Sequence, residues 1–67
     1  MSKFAERLKE LRLEKKLTQE QLAKETNIAQ TTISSYEVDR SLPKIDAIII
    51  LCRYFNVTSD YLIGLVD

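Results

Sequence analysis

The chain has 67 residues, ten basic and ten acidic, with a net charge of zero and a pI of about 6.2. This length allows one domain with a small core, and a single glycine and a single proline favour helices over long loops. One cysteine and no histidine exclude an internal disulfide and the usual zinc and copper ligand sets. The longest apolar run, residues 47–52, is too short to cross a membrane. We expect a cytoplasmic protein without a metal, cofactor or small-molecule ligand.

The charged residues are unevenly distributed along the chain. Residues 1–17 contain six basic and three acidic residues, whereas residues 18–67 contain four basic and seven acidic residues. A net charge of zero counts against nucleic-acid binding, for which a basic surface is the usual signature. The excess of basic residues near the N-terminus nevertheless predicts one basic side on the folded domain.

The first helix is predicted over residues 2–15. Ser2 is a suitable N-cap, because its hydroxyl can accept a hydrogen bond from a free backbone N–H of the first turn. Phe4, Leu8 and Leu11 recur at helical spacing and form one apolar stripe, which predicts that this side faces the core.

A second helix is predicted to begin after Thr18 and to end near Thr26. Thr18 and Gln21, three residues apart, have the spacing of a capping box. Asn27 follows the helix, and asparagine readily adopts the left-handed backbone conformation that a tight turn requires. The sequence therefore predicts two helices separated by a very short connection.

The third helix, from residue 29 or 30 to Glu37, is the most informative element. Ile33 and Tyr36 are three residues apart and are predicted to point inward. The other side chains are small and polar, and no charge occurs before Glu37: Gln30, Thr31, Thr32, Ser34 and Ser35. This surface is suited to the floor of the DNA major groove, with an ordinary solvated face as the alternative.

Two further helices are predicted over residues 46–55 and 59–63, after a loop. The predicted inward face of the fourth helix consists of Ile48, Leu51, Cys52 and Phe55. Ile50 and Tyr54 fall on the opposite face and form a second apolar surface, which a soluble monomer has no need to expose. Thr58 and Gly64 provide the start and stop signals of the fifth helix.

In this arrangement the chain resembles the lambda-repressor-like (Cro/repressor-type) helix-turn-helix proteins, which are DNA-binding domains of phage and bacterial regulators. The resemblance extends from Phe4 to Gly64 and rests on the stretches ERLKELRLEKKLTQEQLA, NIAQTTISSYE and RYFNVTSDYLIG. Ala23 stands where the motif needs a small side chain between its two helices. The resemblance implies an all-α, compact five-helix domain spanning residues 1–67, with helices 2 and 3 as the helix-turn-helix.

Four positions depart from the pattern of that family. Thr26 stands where the family usually has an apolar residue, and Asn27 stands where it usually has glycine. Asp39 occupies a glycine position in the loop after the third helix, and Ser35 replaces a frequent Arg or Lys. Electrostatic attraction of DNA by the third helix itself is therefore expected to be weak.

The resemblance assigns candidate contacts to double-stranded DNA. The candidates for base readout are Gln30, Thr31, Ser34 and Ser35. Gln30 has the donor and the acceptor for a bidentate pair with adenine. The candidates for phosphate contact are Gln19, Thr32, Arg40 and Lys44, with Gln19 at the N-terminus of the second helix. For each residue the alternative is an ordinary surface position.

Two structural contacts are also expected. By resemblance, Arg12 and Glu37 should form a buried pair that locks the third helix against the first. The candidates for a homodimer interface are Ile50, Tyr54, Ile63 and Leu65, because clustered exposed apolar groups often mark an interface. The alternative is that the C-terminal tail folds back over the core of the monomer.

The leading interpretation is a sequence-specific transcriptional regulator, most readily a repressor, that binds a palindromic operator as a dimer. The alternative is a protein-interaction module, such as an antitoxin or the partner of a regulator, which the neutral charge and the surface formed by Ile50 and Tyr54 favour. An enzyme is not expected, since no acid–base pair, metal-ligand set or phosphate-binding glycine loop is present in the sequence.

Overall fold

The computed structural model describes residues 2–67. This range contains no strand and five α-helices: α1 (Lys3–Glu14), α2 (Gln19–Thr26), α3 (Gln30–Glu37), α4 (Ile45–Phe55) and α5 (Ser59–Ile63). The predicted all-α, five-helix fold is confirmed, and every predicted helix end agrees to within one residue. None of these helices is both long enough and apolar enough to cross a membrane.

The predicted capping signals are present at the helix ends. Ser2 caps α1 through a hydrogen bond from the backbone N–H of residue 5 to its Oγ, at 3.2 Å. Thr18 and Gln21 form both bonds of the capping box, at 3.0 Å and 2.8 Å. Asn27 and Asn56 end α2 and α4 in the left-handed conformation, with φ of 59° and 57°. Side chains close in sequence therefore set the helix boundaries.

The core is a single cluster to which all five helices contribute. Its buried members are Phe4, Leu8, Leu22, Ile33, Tyr36, Leu51, Phe55 and Leu62. The rings of Phe4 and Tyr36 meet edge to face, with centroids 5.4 Å apart, and join α1 to α3. Helix α1 also packs on α5, and α2 packs on α3. Helix α1 thus supports α3, and α4 packs on α2.

Thr26, which departs from the usual apolar position, is accommodated by local hydrogen bonds. Its side chain is 7% exposed, so an unpaired hydroxyl there would be costly. The hydroxyl donates to the backbone oxygen of Leu22 at 2.8 Å and accepts from the backbone N–H of Ile28 at 3.4 Å. Both needs of the hydroxyl are met within α2 and its turn, so threonine fits without disturbing the motif.

The inward face of α4 differs in detail from the prediction. Leu51 and Phe55 are buried, but Ile48 and Cys52 are only half-buried. Burial raises the pKa of the Cys52 thiol, which keeps it protonated and uncharged, as expected of a residue that packs against the core.

Tyr54 was expected on the exposed face of α4 with Ile50, and this placement is wrong. The ring is half-buried, packs against the core and meets Phe55 edge to face at 5.0 Å. Its hydroxyl donates to Glu25 at 3.5 Å, and the ammonium of Lys15 lies 5.1 Å from the ring centroid. The reason is that α4 leans on α2 along this side, so an outward position on the isolated helix becomes a contact between helices.

The C-terminal tail is held against α1 through its backbone. Arg7 is 8% exposed and donates from Nη1 to the backbone oxygens of Tyr61 and Val66. Its guanidinium also lies over the ring of Tyr61, 4.3 Å from the centroid. The side chains of Leu65 and Val66 remain 70% and 50% exposed. The tail therefore docks on the monomer without burying its apolar side chains.

Candidate nucleic-acid interface

The outward side of α3 follows from the residues that it buries. Ile33 is fully buried and Tyr36 is 6% exposed, which fixes the inward direction of the helix. At 100° per residue, the opposite side carries four positions spaced by three and four: Thr31, Ser34, Ser35 and Val38. Thr31 is exposed, and the two serines are partly exposed. Three of the four residues predicted to read bases thus share one accessible surface.

Gln30 and Thr32 lie on opposite edges of that surface. Gln30 is exposed and shares its edge with Glu37, two turns further along the helix. Glu37 accepts a hydrogen bond from Gln19, so this edge faces the start of α2. The predicted base-reading residue Gln30 therefore lies on the edge of α3 whose C-terminal end contacts Gln19, the predicted phosphate contact at the start of α2.

Arg12 and Glu37 make the predicted contact between α1 and the end of α3. Nε of Arg12 lies 2.7 Å from Oε2 of Glu37, and Nη2 lies 2.9 Å from Oε1. The two residues are 9% and 5% exposed. Hydrogen bonding to Glu37 raises the pKa of Arg12, so the guanidinium remains charged. This pair fixes the direction of α3 relative to the rest of the domain.

The cations near the interface are fewer than the sequence indicates. Among the six basic residues of positions 1–17, Arg7 and Arg12 are buried, which leaves only lysines exposed on that segment. Arg40 and Lys44 are exposed in the loop after α3. The backbone N–H of Arg40 donates to the oxygen of Ser35 at 2.8 Å and closes the C-terminus of α3. The backbone of Arg40 is therefore fixed directly after the outward surface of α3, with its side chain exposed.

Val38 belongs to this surface and was not identified from the sequence, and Asp39, in the loop beside it, was identified only as a departure from the family pattern. Val38 is 58% exposed, and its position one turn beyond Ser34 and Ser35 is the signal that could have revealed it. Asp39 follows in the left-handed conformation, with φ of 64°, and accepts a hydrogen bond from the backbone N–H of Ser2 at 2.7 Å. That hydrogen bond lowers the pKa of Asp39, so an anion stays beside Arg40 at neutral pH.

Comparison with known proteins agrees with this geometry. The helix-turn-helix family model HTH_3 matches residues 8–62. The HTH-type transcriptional regulator YobD of Bacillus subtilis is 41% identical over 64 residues, which are 96% of this chain and 57% of that protein. The HTH-type transcriptional regulator ImmR of Bacillus subtilis is 39% identical over 61 residues, 91% of this chain and 48% of that protein.

A third relative, the HTH-type transcriptional activator BcrR of Enterococcus faecalis, is 38% identical over 61 residues, 91% of this chain and 30% of that protein. The chain thus spans between about a third and three fifths of the length of these relatives. The matched region contains α2, the turn, α3 and α4 completely. The chain belongs to the lambda-repressor-like helix-turn-helix family, whose members are transcriptional regulators and not enzymes.

Proposed function

We propose that this chain regulates transcription by binding a specific DNA sequence with α3 in the major groove. The observation that carries the proposal is the outward surface of α3, which offers hydroxyl and amide groups and no charge. Base edges in the major groove present a distinct pattern of donors, acceptors and methyl groups for each base pair. Short polar side chains on a helix are suited to that pattern, because they place hydrogen-bonding groups close to the groove floor.

Individual roles follow from the chemistry of each side chain. Gln30 pairs with an adenine through N6 and N7, and Thr31 contacts a thymine methyl group or a neighbouring base edge. Ser34 and Ser35 bond to either partner of a base pair. Each good pair of this kind is worth about 1–3 kcal/mol of discrimination against the wrong base. Val38 extends the row as an apolar contact for a thymine methyl group.

The phosphate contacts are proposed on both edges of the outward surface of α3 and beyond its C-terminus. Gln19 lies at the N-terminus of α2, where free backbone N–H groups and the helix dipole favour an anion. Thr32, on the opposite edge of α3 from Gln30, offers a hydroxyl to the backbone, and Arg40 and Lys44 supply positive charge beyond the helix. These contacts set the position of α3 along the groove and carry no sequence information of their own.

We further propose that the chain binds DNA as a homodimer on a palindromic operator. A single module of this kind reads only a few base pairs, and two modules related by a twofold axis read half-sites about 34 Å apart. A chain with a net charge of zero gains little from general attraction to DNA, so it depends strongly on this doubling.

The outer face of α4, defined as Ile45, Ile49 and Ile50, is the proposed centre of the dimer contact. These side chains are 74%, 46% and 40% exposed. Ile63 and Leu65, at 39% and 70% exposure, add apolar surface near the C-terminus. Tyr54 is assigned to packing against α2 instead, as its contacts with Glu25 and Lys15 support. Apolar exposure on this scale in a small domain is typical of an interface.

Repression by occupancy is the form of regulation that the domain supports best. A dimer bound over a promoter excludes polymerase without any further contact, so DNA binding alone is sufficient. The relative from Enterococcus faecalis is named as an activator, so the sign of regulation needs its own test. Expression of a reporter gene placed downstream of the selected operator, measured with and without the chain, distinguishes repression from activation in vivo.

A second candidate function is a protein-interaction module, which the outer face of α4 and the neutral charge favour. Selection of binding sites from random DNA by the purified chain separates the two proposals. A DNA-binding regulator recovers a palindrome, and its affinity falls steeply with salt through counterion release. Recovery of no preferred sequence, together with an apolar protein partner whose binding ignores salt, would reverse the order of the two functions.

A further inference from the structure

Gln19 is hydrogen-bonded to the buried pair at the end of α3. Its Nε2 lies 3.1 Å from Oε1 of Glu37, the same oxygen that accepts from Nη2 of Arg12 at 2.9 Å. A carboxylate can only accept hydrogen bonds, so the amide nitrogen of Gln19, and not its oxygen, must face Glu37. The orientation of the carboxamide is therefore determined by chemistry.

Glu37 is a rigid support for that amide. Both of its oxygens accept from Arg12, and Nη1 of Arg12 donates in turn to the backbone oxygen of Leu17 at 2.8 Å. Glu37 and Arg12 are 5% and 9% exposed, so water competes little for these bonds. Arg12 also neutralises the carboxylate, which removes the repulsion that an unpaired Glu37 would exert on a nearby phosphate.

The side-chain amide of Gln19 has a second hydrogen that the hydrogen bond to Glu37 does not use. A primary amide has two donor hydrogens that diverge from one nitrogen, and Glu37 accepts only one of them. Gln19 is half-buried, and its second hydrogen makes no hydrogen bond within residues 2–67. This hydrogen points away from Glu37, beside the N-terminus of α2, where the helix dipole favours an anion.

We propose that Glu37, fixed by Arg12, is a positioning residue that holds the Gln19 amide so that its second hydrogen meets a DNA phosphate. The inference rests on the proposed function, because it concerns the same DNA-binding surface. A glutamine side chain loses considerable rotamer freedom when it is held in one geometry. The hydrogen bond to Glu37 imposes that order before DNA arrives, and it couples the phosphate contact to the end of the base-reading helix.

The test uses the duplex recovered by random selection, with single phosphates replaced in turn by neutral methylphosphonates. The wild-type chain should lose about tenfold in affinity at one particular phosphate, as for a hydrogen bond to a charged group. Gln19→Met, which has no amide, should lose affinity for the native duplex and show less than about a twofold further loss at that phosphate. The loss caused by the methylphosphonate thus depends on the side chain at position 19, and we call this dependence coupling. A purely structural role of Gln19 does not produce it.

Two variants test the positioning step. Gln19→Asn keeps an amide but is one methylene shorter, so it cannot reach Glu37 and should lose the coupling as completely as Gln19→Met. Glu37→Met, which has no strong acceptor for the amide, should lose it as well, wherever circular dichroism shows that the variant is folded. Should Glu37→Met fail to fold, nuclear magnetic resonance of the free wild-type chain decides: the two side-chain amide hydrogens of Gln19 should be ordered and exchange with solvent at different rates, and averaged signals typical of a free side chain would overturn the positioning role.

The outcomes separate this inference from the proposed function. Full coupling to the phosphate in Gln19→Asn would overturn the positioning role, because the contact with Glu37 would then be unnecessary. Equal or tighter binding of the native duplex by Gln19→Met would also overturn it, since Glu37 would then withdraw the amide from DNA. Failure of the wild-type chain to select any duplex would instead count against the proposed function itself.

Discussion

Arg12 and Glu37 meet at two points, with Nε and Nη2 of the guanidinium 2.7 Å and 2.9 Å from the two carboxylate oxygens. The remaining nitrogen, Nη1, donates to the backbone oxygen of Leu17 at 2.8 Å. One side chain on α1 therefore holds the end of α3 and the segment leading into α2. Because both partners are almost buried, each charge is compensated mainly by the other.

Replacing Arg12 with alanine should destabilise the fold far more than it alters base preference. Removal of one partner from a buried pair leaves an uncompensated charge and costs about 3–5 kcal/mol in the free energy of unfolding. A domain of 67 residues has little stability in reserve, so the urea midpoint should fall sharply. Lys9→Ala, at an exposed position of the same helix, should change the free energy of unfolding by less than about 0.5 kcal/mol. An unchanged melting temperature in Arg12→Ala would contradict this assignment.

The contact between Asp39 and Ser2 should make stability depend on pH in the acid range. The pKa of Asp39 is lower in the folded chain than in the unfolded chain, because hydrogen bonding to the side chain and the backbone N–H of Ser2 stabilises the carboxylate. The contribution of the Asp39 carboxylate to the free energy of unfolding is therefore fully present above its pKa in the unfolded chain, about 3.9. It is lost as the pH falls towards its pKa in the folded chain. The difference in melting temperature between wild type and Asp39→Asn should narrow between about pH 5 and pH 3.

Ser2→Pro is the matched control for this pH dependence. Proline has neither the backbone N–H nor the hydroxyl of Ser2, so the variant keeps the carboxylate of Asp39 and removes its donors. Loss of the N-cap hydroxyl should also lower its melting temperature at every pH, so only the pH dependence is compared. Its melting temperature should follow the same pH dependence as that of Asp39→Asn. Melting curves of wild type and Asp39→Asn that stay parallel across this range would disprove the contribution of the contact.

Local signals in the sequence predicted most of the fold. Caps such as Thr18 with Gln21 act over three or four residues, and the spacing of Ile33 and Tyr36 defines the inward side of a helix without knowledge of its partners. The contact between Arg12 and Glu37 was predicted by resemblance to a family, because no local pattern joins residues 25 positions apart.

Contacts between distant segments could not be predicted. Arg7 reads as a surface cation, but its acceptors are backbone oxygens 54 and 59 residues further along the chain. Every residue has a backbone oxygen, so the sequence does not indicate which of them accepts a hydrogen bond from Arg7. Tyr54 looks like an exposed aromatic residue in the sequence, because its partners lie far away along the chain: Lys15 directly after α1, and Glu25 on α2. In both cases the tertiary arrangement determines the environment of the side chain.

Gly64→Ala should destabilise the C-terminal end of the domain. Gly64 has a φ of 91°, and an added Cβ would overlap the side chain of Lys3 on α1. We expect a loss of at least about 1 kcal/mol in the free energy of unfolding, seen as a lower melting temperature. Lys16→Ala is the control, since Lys16 has a φ of 58° but already carries a Cβ, so its melting temperature should barely change. Equal effects of the two substitutions would exclude the close approach to Lys3 as the cause.

Arg40→Ala and Lys44→Ala should weaken DNA binding without changing its sequence preference. Each removes one cation from the proposed backbone contact, so the slope of log affinity against log salt should become shallower by about 1. The measurement is a salt titration on both the selected duplex and a scrambled duplex, and the loss should be similar on the two. Arg53→Ala, an exposed cation on α4, serves as the control and should leave the slope unchanged. A loss confined to the selected duplex would show that these residues read bases.

Gln30→Ala should change the sequence preference of DNA binding without changing its salt dependence. The variant should lose about 1–3 kcal/mol of discrimination at one base pair in each half-site, because the bidentate partner of an adenine is removed. Its salt dependence should remain that of the wild-type chain, since no charge has changed. Gln21→Ala removes the same side chain from an exposed position of α2; it also loses one bond of the capping box and should lower the melting temperature, but it should leave the base preference intact. A base preference that Gln30→Ala leaves unaltered at every position would remove Gln30 from the readout surface.

Ile49→Glu should dissociate the proposed dimer while leaving the monomer folded. Ile49 is 46% exposed, so a charge there costs the monomer little but cannot be buried against a second copy without a partner. Sedimentation equilibrium should change from dimer to monomer, and affinity for a palindromic duplex should fall towards that for a single half-site. Leu13→Glu places the same charge at a similarly exposed apolar position on α1 and should leave the dimer intact. A wild-type chain that stays monomeric at high concentration, both free and on the palindrome, would refute the dimer proposal, because then no second copy covers the outer face of α4.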